Sequence, residues 1–213
     1  MSWFKGLFDP PHPVHPSRWI VLDVETSGLD PRADRLLAIA ALAVTVDFRG
    51  KKMMIDVSDS FEAVLRQDEV SDKSNILLHG IGANAQRTGS DPRFVLHSFK
   101  EWVADSPLFA FHAPFDEVMI QRAYQDYLGK KIKNIWIDIE PLASIAYPKI
   151  KARSLDQWMT EFGIECAVRH QAAADTFATA ELFMKIWPSL TKLTRNIYEI
   201  ERLAEQSRWV PRG

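Results

Sequence analysis

The stretch from Trp19 to Glu25, Trp-Ile-Val-Leu-Asp-Val-Glu, limits the fold more than any other part of the chain. Its near-continuous apolar run is the pattern of a strand buried on both faces, which belongs in the middle of a covered sheet. Yet it closes on two acids. Asp23 and Glu25 stand two residues apart, so both point to the side of the sheet that Val21 occupies. Burying ionised carboxylates without partners costs several kcal/mol each, and a cation between them removes that cost. The competing reading puts the pair at an exposed strand end, capping a loop. These two residues alone do not separate the readings.

The rest of the chain supplies the sheet's context. Gly28 with Asp30-Pro31 marks a turn. Leu36–Val46 and Lys52–Leu65 read as two further strands, with Arg49-Gly50 turning between them. Helical spacing follows over Phe94–Val103, then a strand at Leu108–Phe111, a helix over Phe115–Leu128, a strand at Asn134–Ile139 and a helix over Pro141–Tyr147. Ser154 is placed to cap a helix that runs to Phe162 and stops at Gly163. Helices over Ala173–Trp187 and Leu193–Gln206 complete the chain. Three consecutive strands followed by alternating helices and strands predict an α/β domain, a mixed sheet flanked by helices. Residues 1–17, with Pro10, Pro11, Pro13 and Pro16, read as an extended tail; 18–192 read as the domain and 193–213 as a C-terminal helix and tail.

Composition removes several classes. With 46% apolar and 25% charged residues in 213, neither disorder nor low complexity is expected. The longest apolar run, Leu36–Val46, falls well short of the ~18–20 residues a membrane span needs. One cysteine, Cys166, permits no internal disulfide and fits a reducing cytosol, so a cytoplasmic protein without membrane contact is expected. The net charge of −2 offers no global attraction for nucleic acid. Charge is uneven, however. Lys130, Lys131, Lys133, Lys149, Lys151 and Arg153 cluster late, and six acids fall between 55 and 72. These are either two solvated faces or, for the basic stretch, a rim facing phosphates.

More acids lie on apolar faces. Asp116 opens a helical stripe of Met119, Ile120, Ala123 and Tyr127, and Asp175 opens another of Ala178, Leu182 and Ile186. Singly, each is an ordinary first-turn acid favoured by the helix dipole, and His170 is an ordinary polar histidine. Together, three elements aim acids toward one end of a sheet core. Four carboxylates at one locus repel unless compensated, and two divalent ions match them in charge. Oxygen-only ligation selects Mg²⁺ or Mn²⁺ over zinc. Such a pair clamps the attacking and leaving oxygens of phosphoryl transfer, and a neutral histidine beside it takes a proton from water.

The motifs that carry these residues resemble a known family. Asp23-Val24-Glu25-Thr26-Ser27-Gly28-Leu29, His112-Ala113-Pro114-Phe115-Asp116 and His170-Gln171-Ala172-Ala173-Ala174-Asp175 resemble the three motifs of the DnaQ-like, DEDDh-type 3′–5′ exonucleases. Leu78-His79-Gly80-Ile81 and Asp138 through Ala143 agree with lesser signatures, and the likeness covers about residues 18–190. The pattern is nearest to that of the proofreading epsilon subunit of bacterial DNA polymerase III.

The resemblance implies an RNase H-like fold, a five-stranded mixed sheet with helices on both sides. It implies that Asp23, Glu25, Asp116 and Asp175 bind two divalent cations, Mg²⁺ or Mn²⁺, with His170 as general base. It also implies that Thr26, Leu29, His79 and Phe115 hold the terminal nucleotide. Implied partners are the 3′ ends of single-stranded DNA or RNA, DNA favoured, and a DNA polymerase or replication factor. Two positions depart from the pattern: Ser27 where Thr is usual, and His112 where a substrate-contacting Asn is usual.

Other readings stay open. A silent nuclease-fold module would dock a partner through Trp3–Phe8 or through the stripe Ile197, Ile200, Leu203 and Ala204. An RNA-trimming enzyme and a hydrolase of small phosphoesters share the same acids. P-loop nucleotide hydrolysis finds little support because no GxxxxGK[ST] occurs, and Cys166 with His170 is too sparse for zinc.

Overall fold

The computed structural model describes residues 17–166 and 168–207, so the readings made for the proline-rich tail and Trp3–Phe8 fall outside the described residues. Its elements are β1 (Arg18–Thr26), β2 (Leu36–Asp47), β3 (Lys52–Val64), α1 (Lys73–His79), α2 (Ala83–Thr88), α3 (Pro92–Val103), β4 (Leu108–Ala110) and α4 (Ala113–Leu128). They continue with β5 (Trp136–Asp138), α5 (Ile139–Ala146), α6 (Leu155–Phe162), α7 (Ala172–Leu190) and α8 (Ile197–Ser207). The five strands make one sheet in the order β3-β2-β1-β4-β5. β2 runs antiparallel to both its neighbours, while β1, β4 and β5 are parallel, which is the expected mixed sheet.

β1 is central, and its apolar run divides by side-chain alternation. Trp19 and Val21 join the core under α5, α6, α7 and α8, whereas Ile20, Leu22 and Val24 join the core under α3 and α4. In the first core Trp19 stacks on Phe109 at 5.1 Å and meets Trp187 edge-on at 5.5 Å, a rigid aromatic brace under α7. α6 begins at Ser154 with a complete capping box and ends at Gly163 in the left-handed conformation, as its sequence predicts.

β3 packs on both cores through a bulge. Leu42 pairs with Ser60 and Ala43 with Asp56, leaving Val57, Ser58 and Asp59 outside the ladder. The odd insertion reverses which side the strand's odd residues face: Met53 lies in the first core, Phe61 and Ala63 in the second. It also turns Asp59 inward. The Arg18 guanidinium donates to both Asp59 oxygens at 2.6 and 2.9 Å and to Ser106 Oγ at 3.0 Å, and it lies over the Trp102 ring. Arg18 and Asp59 are both more than nine-tenths buried. So at least one acid of the 55–72 stretch is structural, not part of a solvated face. Asp59→Ala strands that guanidinium and should cost about 3–5 kcal/mol. Melting temperature should fall by about 2–4 °C per kcal/mol. The double replacement R18M/D59L should recover most of the loss in thermal denaturation; equal melting of Asp59→Ala and wild type would refute the assignment.

Three sequence expectations change. α1 and α2 were not expected. The two are short and largely polar, and a buried Gln86 on α2 ties together the segments on either side of α1: it accepts from Ser71 N–H at 2.9 Å and donates to Ser71 Oγ and the Ile81 carbonyl. On α4, Tyr124 replaces Tyr127 in the core because α3 packs alongside and its Leu96 carbonyl accepts the Tyr124 hydroxyl. The α8 stripe is no free docking face: Ile200 and Ala204 are buried in this chain's own core, with Ile197 and Leu203 packed against it.

Candidate active site

Parallel β1 and β4 place their C-terminal ends at the same edge of the sheet, and β1 outruns its neighbour, pairing with β4 only at Ile20 and Val21. The last residues of β1 therefore stand clear of the ladder on that side. α4 starts just beyond β4, and its first-turn Asp116 accepts a hydrogen bond from the freed Val24 N–H. On the other face the N-terminus of α7 comes down on β1, where the Ala172 N–H donates to Glu25. Ala172 is buried at that contact. Its small side chain allows the close approach of helix and sheet there. A shift of register between Glu25, opposite Ala38, and Thr26, opposite Leu36, distorts the end of the β1–β2 ladder, the kind of bulge that re-aims residues beside a site.

One cleft of about 390 Å³ collects Asp23, Glu25, Asp116, Asp175 and His170. Thr26, Leu29, His79, His112 and Phe115 line it as well, so the residues expected to bind metal, act as base or contact substrate share one cleft. Val24 and Gly28 of the first motif, together with Asn75, Leu78 and Phe111, complete the wall, and of the last three only Leu78 stood in a recognised motif. No lysine or arginine lines the cleft among the described residues. Lys133, from the basic stretch, lies in a separate cleft with Glu117, Glu201 and Glu205.

The acids feel one another. Burial above all, then the Asp175 charge, pushes the Asp23 carboxyl up to about 8, partly offset by Arg169. Burial, then Asp23 and Asp175, pushes Glu25 to about 9, again against Arg169. Burial and Asp23 hold Asp116 well above the carboxylate range. Groups that bind protons more tightly folded than unfolded stabilise the fold at low pH and lose that contribution as pH rises through their folded values. The EDTA-treated protein should therefore melt at progressively lower temperature between about pH 5 and 9, readable by scanning fluorimetry. A melting temperature that climbs over that range would contradict the shifts.

Two non-glycine residues in the cleft hold left-handed backbone, His112 (φ 62°) and His170 (φ 61°). Asn and His are among the residues that tolerate this region, so His112 meets the same backbone demand as the usual Asn. The His112 N–H donates to buried Asp138 at 2.9 Å, and that carboxylate also caps α5 through the Glu140 N–H at 3.1 Å. β5 thus anchors the turn that aims Asp116. His170 is exposed at the cleft, its N–H bound to Asp175 Oδ2 at 3.0 Å. Ser27, the other departure, uses its hydroxyl to bind Asp34 and to accept the Arg35 N–H, both at 2.9 Å, so losing a methyl breaks neither bond.

The nucleotide-facing wall differs in character. Leu29 is 85% exposed at the mouth, and Thr26 is buried with its hydroxyl donated to the Gly28 carbonyl. His79 is 2% exposed with both nitrogens engaged: Nδ1 accepts the Ile81 N–H at 2.9 Å, so Nε2–H donates to Asn75 at 2.7 Å. The ring is held neutral, and burial lowers its pKa further. It offers the cleft a ring surface, not a free hydrogen bond.

The donor chemistry suits a hard cation, since all four acids give oxygen ligands. Among the described residues, no three acidic, histidine or cysteine groups already stand in a coordination geometry. One residue that the sequence did not single out bears on this. The Arg169 guanidinium pairs with Asp175 on one side and with Asp156 on the other. A counter-charge for four acids was foreseeable from charge arithmetic, but no spacing marks Arg169 as its source.

The chain matches the RNase_T exonuclease family model over residues 20–183. It is 33% identical over 169 residues to the PolC-type DNA polymerase III of Bacillus subtilis, covering 79% of this chain and 11% of that protein. The chain thus spans about a tenth of the polymerase it matches. Among solved structures, one of exonuclease I superposes with a TM-score of 0.65 at 18% identity, covering 83% of this chain and 42% of the other. A second, E. coli exonuclease I with a dT13 oligonucleotide, gives 0.63 at 17% identity, covering 80% and 41%.

Proposed function

The chain belongs to the RNase_T exonuclease family, DnaQ-like 3′–5′ exonucleases of RNase H-like fold, and from that premise we propose what it cuts and how. It removes nucleotides from the 3′ end of single-stranded nucleic acid, DNA in preference, and releases nucleoside 5′-monophosphates. The observation that carries this reading is the single cleft shared by Asp23, Glu25, Asp116, Asp175 and His170.

In this reading the four carboxylates hold two divalent cations, Mg²⁺ or Mn²⁺. Bound there, the cations supply positive charge for the phosphodiester and its departing oxygen. The protein's own groups do the rest. Leu29 at the mouth and Phe115 on the wall give apolar surface to the terminal base, and the His79 ring packs against its sugar. His170, exposed at the cleft and fixed by its backbone N–H on Asp175, takes the proton of the attacking water. The cleft volume lies within the ~300–1,000 Å³ typical of sites for one small ligand, which favours a single unpaired end over a duplex.

The relatives support DNA as substrate and a polymerase as partner. One is a DNA polymerase, and the exonuclease I complex holds an oligodeoxynucleotide. A module kept only for docking would have no reason to retain all four acids in one pocket. The test is product analysis with 3′- and 5′-labelled single-stranded DNA and RNA in Mn²⁺. Labelled mononucleotide from the 3′ label and a descending ladder from the 5′ label are expected, faster on DNA. Internal cuts, removal from the 5′ end, or intact substrate would overturn the proposal, and faster RNA decay would reassign the substrate.

A further inference from the structure

We propose that Arg169 is the resident counter-ion of the carboxylate cluster and competes with divalent cations for Asp175; this rests on the two-cation reading above. The guanidinium sits between two acids of unlike surroundings. Asp175, on the first turn of α7, is 6% exposed and belongs to the cleft. Asp156, on the first turn of α6, has a side chain 61% exposed and lies outside it. One Arg169 nitrogen pairs with Asp175 Oδ1 while Nε and Nη2 face the two oxygens of Asp156. Arg169 does not itself line the cleft, so it reaches Asp175 from the α6 side.

The left-handed turn at His170 separates the roles of adjacent residues. His170 faces the cleft, and its neighbour braces the acid behind it. An arginine keeps its charge at any working pH, so the brace cannot be neutralised; it can only be displaced. Asp156 provides the place to go. When a cation takes Asp175, the guanidinium keeps both contacts to Asp156 and gives up one nitrogen, with no movement of the chain required. Arg169 is in this sense a positioning residue: it keeps the acids together without cations and sets the concentration at which cations load.

Two variants separate this from a purely structural brace. R169A should melt at lower temperature in EDTA, yet bind Mn²⁺ at least about tenfold more tightly by calorimetry, because one positive charge has left the cluster. D156A removes the alternative resting place, holds the guanidinium on Asp175, and should weaken Mn²⁺ binding several-fold. If Arg169 only props the His170 turn, both variants weaken Mn²⁺ binding, and the inference falls. It falls too if R169A binds Mn²⁺ no more tightly than wild type. Wild-type protein that takes up no Mn²⁺ would overturn the two-cation reading itself, and this inference with it.

Discussion

Asp23→Asn should lower Mn²⁺-dependent release of the 3′ nucleotide by at least about a thousandfold while leaving the protein folded. Metal coordination contributes several kcal/mol to phosphoryl transfer, and each 1.36 kcal/mol is tenfold in rate. Asn has the same shape, so the packing of β1 is not disturbed. What changes is charge at the one position coupled to all three other acids, since Asp175, Glu25 and Asp116 each interact with Asp23. The stability readout should move the opposite way. At pH 9 in EDTA wild-type Asp23 is ionised beside Asp175, whereas Asn is neutral, so the variant should melt higher than wild type and show a flatter pH profile. Single-turnover decay of a 3′-labelled oligonucleotide and melting curves in EDTA measure the two effects. Full activity in D23N would remove Asp23 from the site, and a lower melting temperature at pH 9 would show that it is not electrostatically strained.

The pair Asp23 and Glu25 was legible because strand alternation is a period of two: residues sharing a face with Val21 follow from counting. Asp116 and Asp175 were legible as the heads of apolar stripes on helices. Their meeting point was not, because it depends on strand order. Only when β1 and β4 lie side by side and parallel does α4 start at the edge where β1 ends. Elements held by polar contacts escaped the pattern for a different reason. α1 and α2 carry no apolar stripe and depend on Gln86, whose partners at Ser71 and Ile81 are set by the tertiary fold. Arg169 escaped because a single basic residue in a loop looks solvated until its partners are known. His112 gave the opposite lesson. A substitution that looks chemical on paper satisfies a backbone constraint, the left-handed residue before α4.

The second large effect belongs to His170, and the choice of variant decides whether it can be read. Alanine at a left-handed position carries backbone strain, so His170→Ala mixes loss of the imidazole with distortion of the turn. Asn tolerates that conformation. In His170→Asn the N–H that binds Asp175 Oδ2 stays where it is, as does the Arg169 contact on the far side of the same carboxylate. What is lost is a group able to take a proton from water, and such a loss is worth about 10²–10⁴ in rate. The decrease should fall on kcat, with KM for the oligonucleotide and Mn²⁺ affinity close to wild type. A variant that keeps its kcat would show that the proton goes elsewhere. If kcat and Mn²⁺ affinity fell together in H170N, the side chain would be acting through Asp175 rather than on water, and the assignment of the base would pass to another group in the cleft.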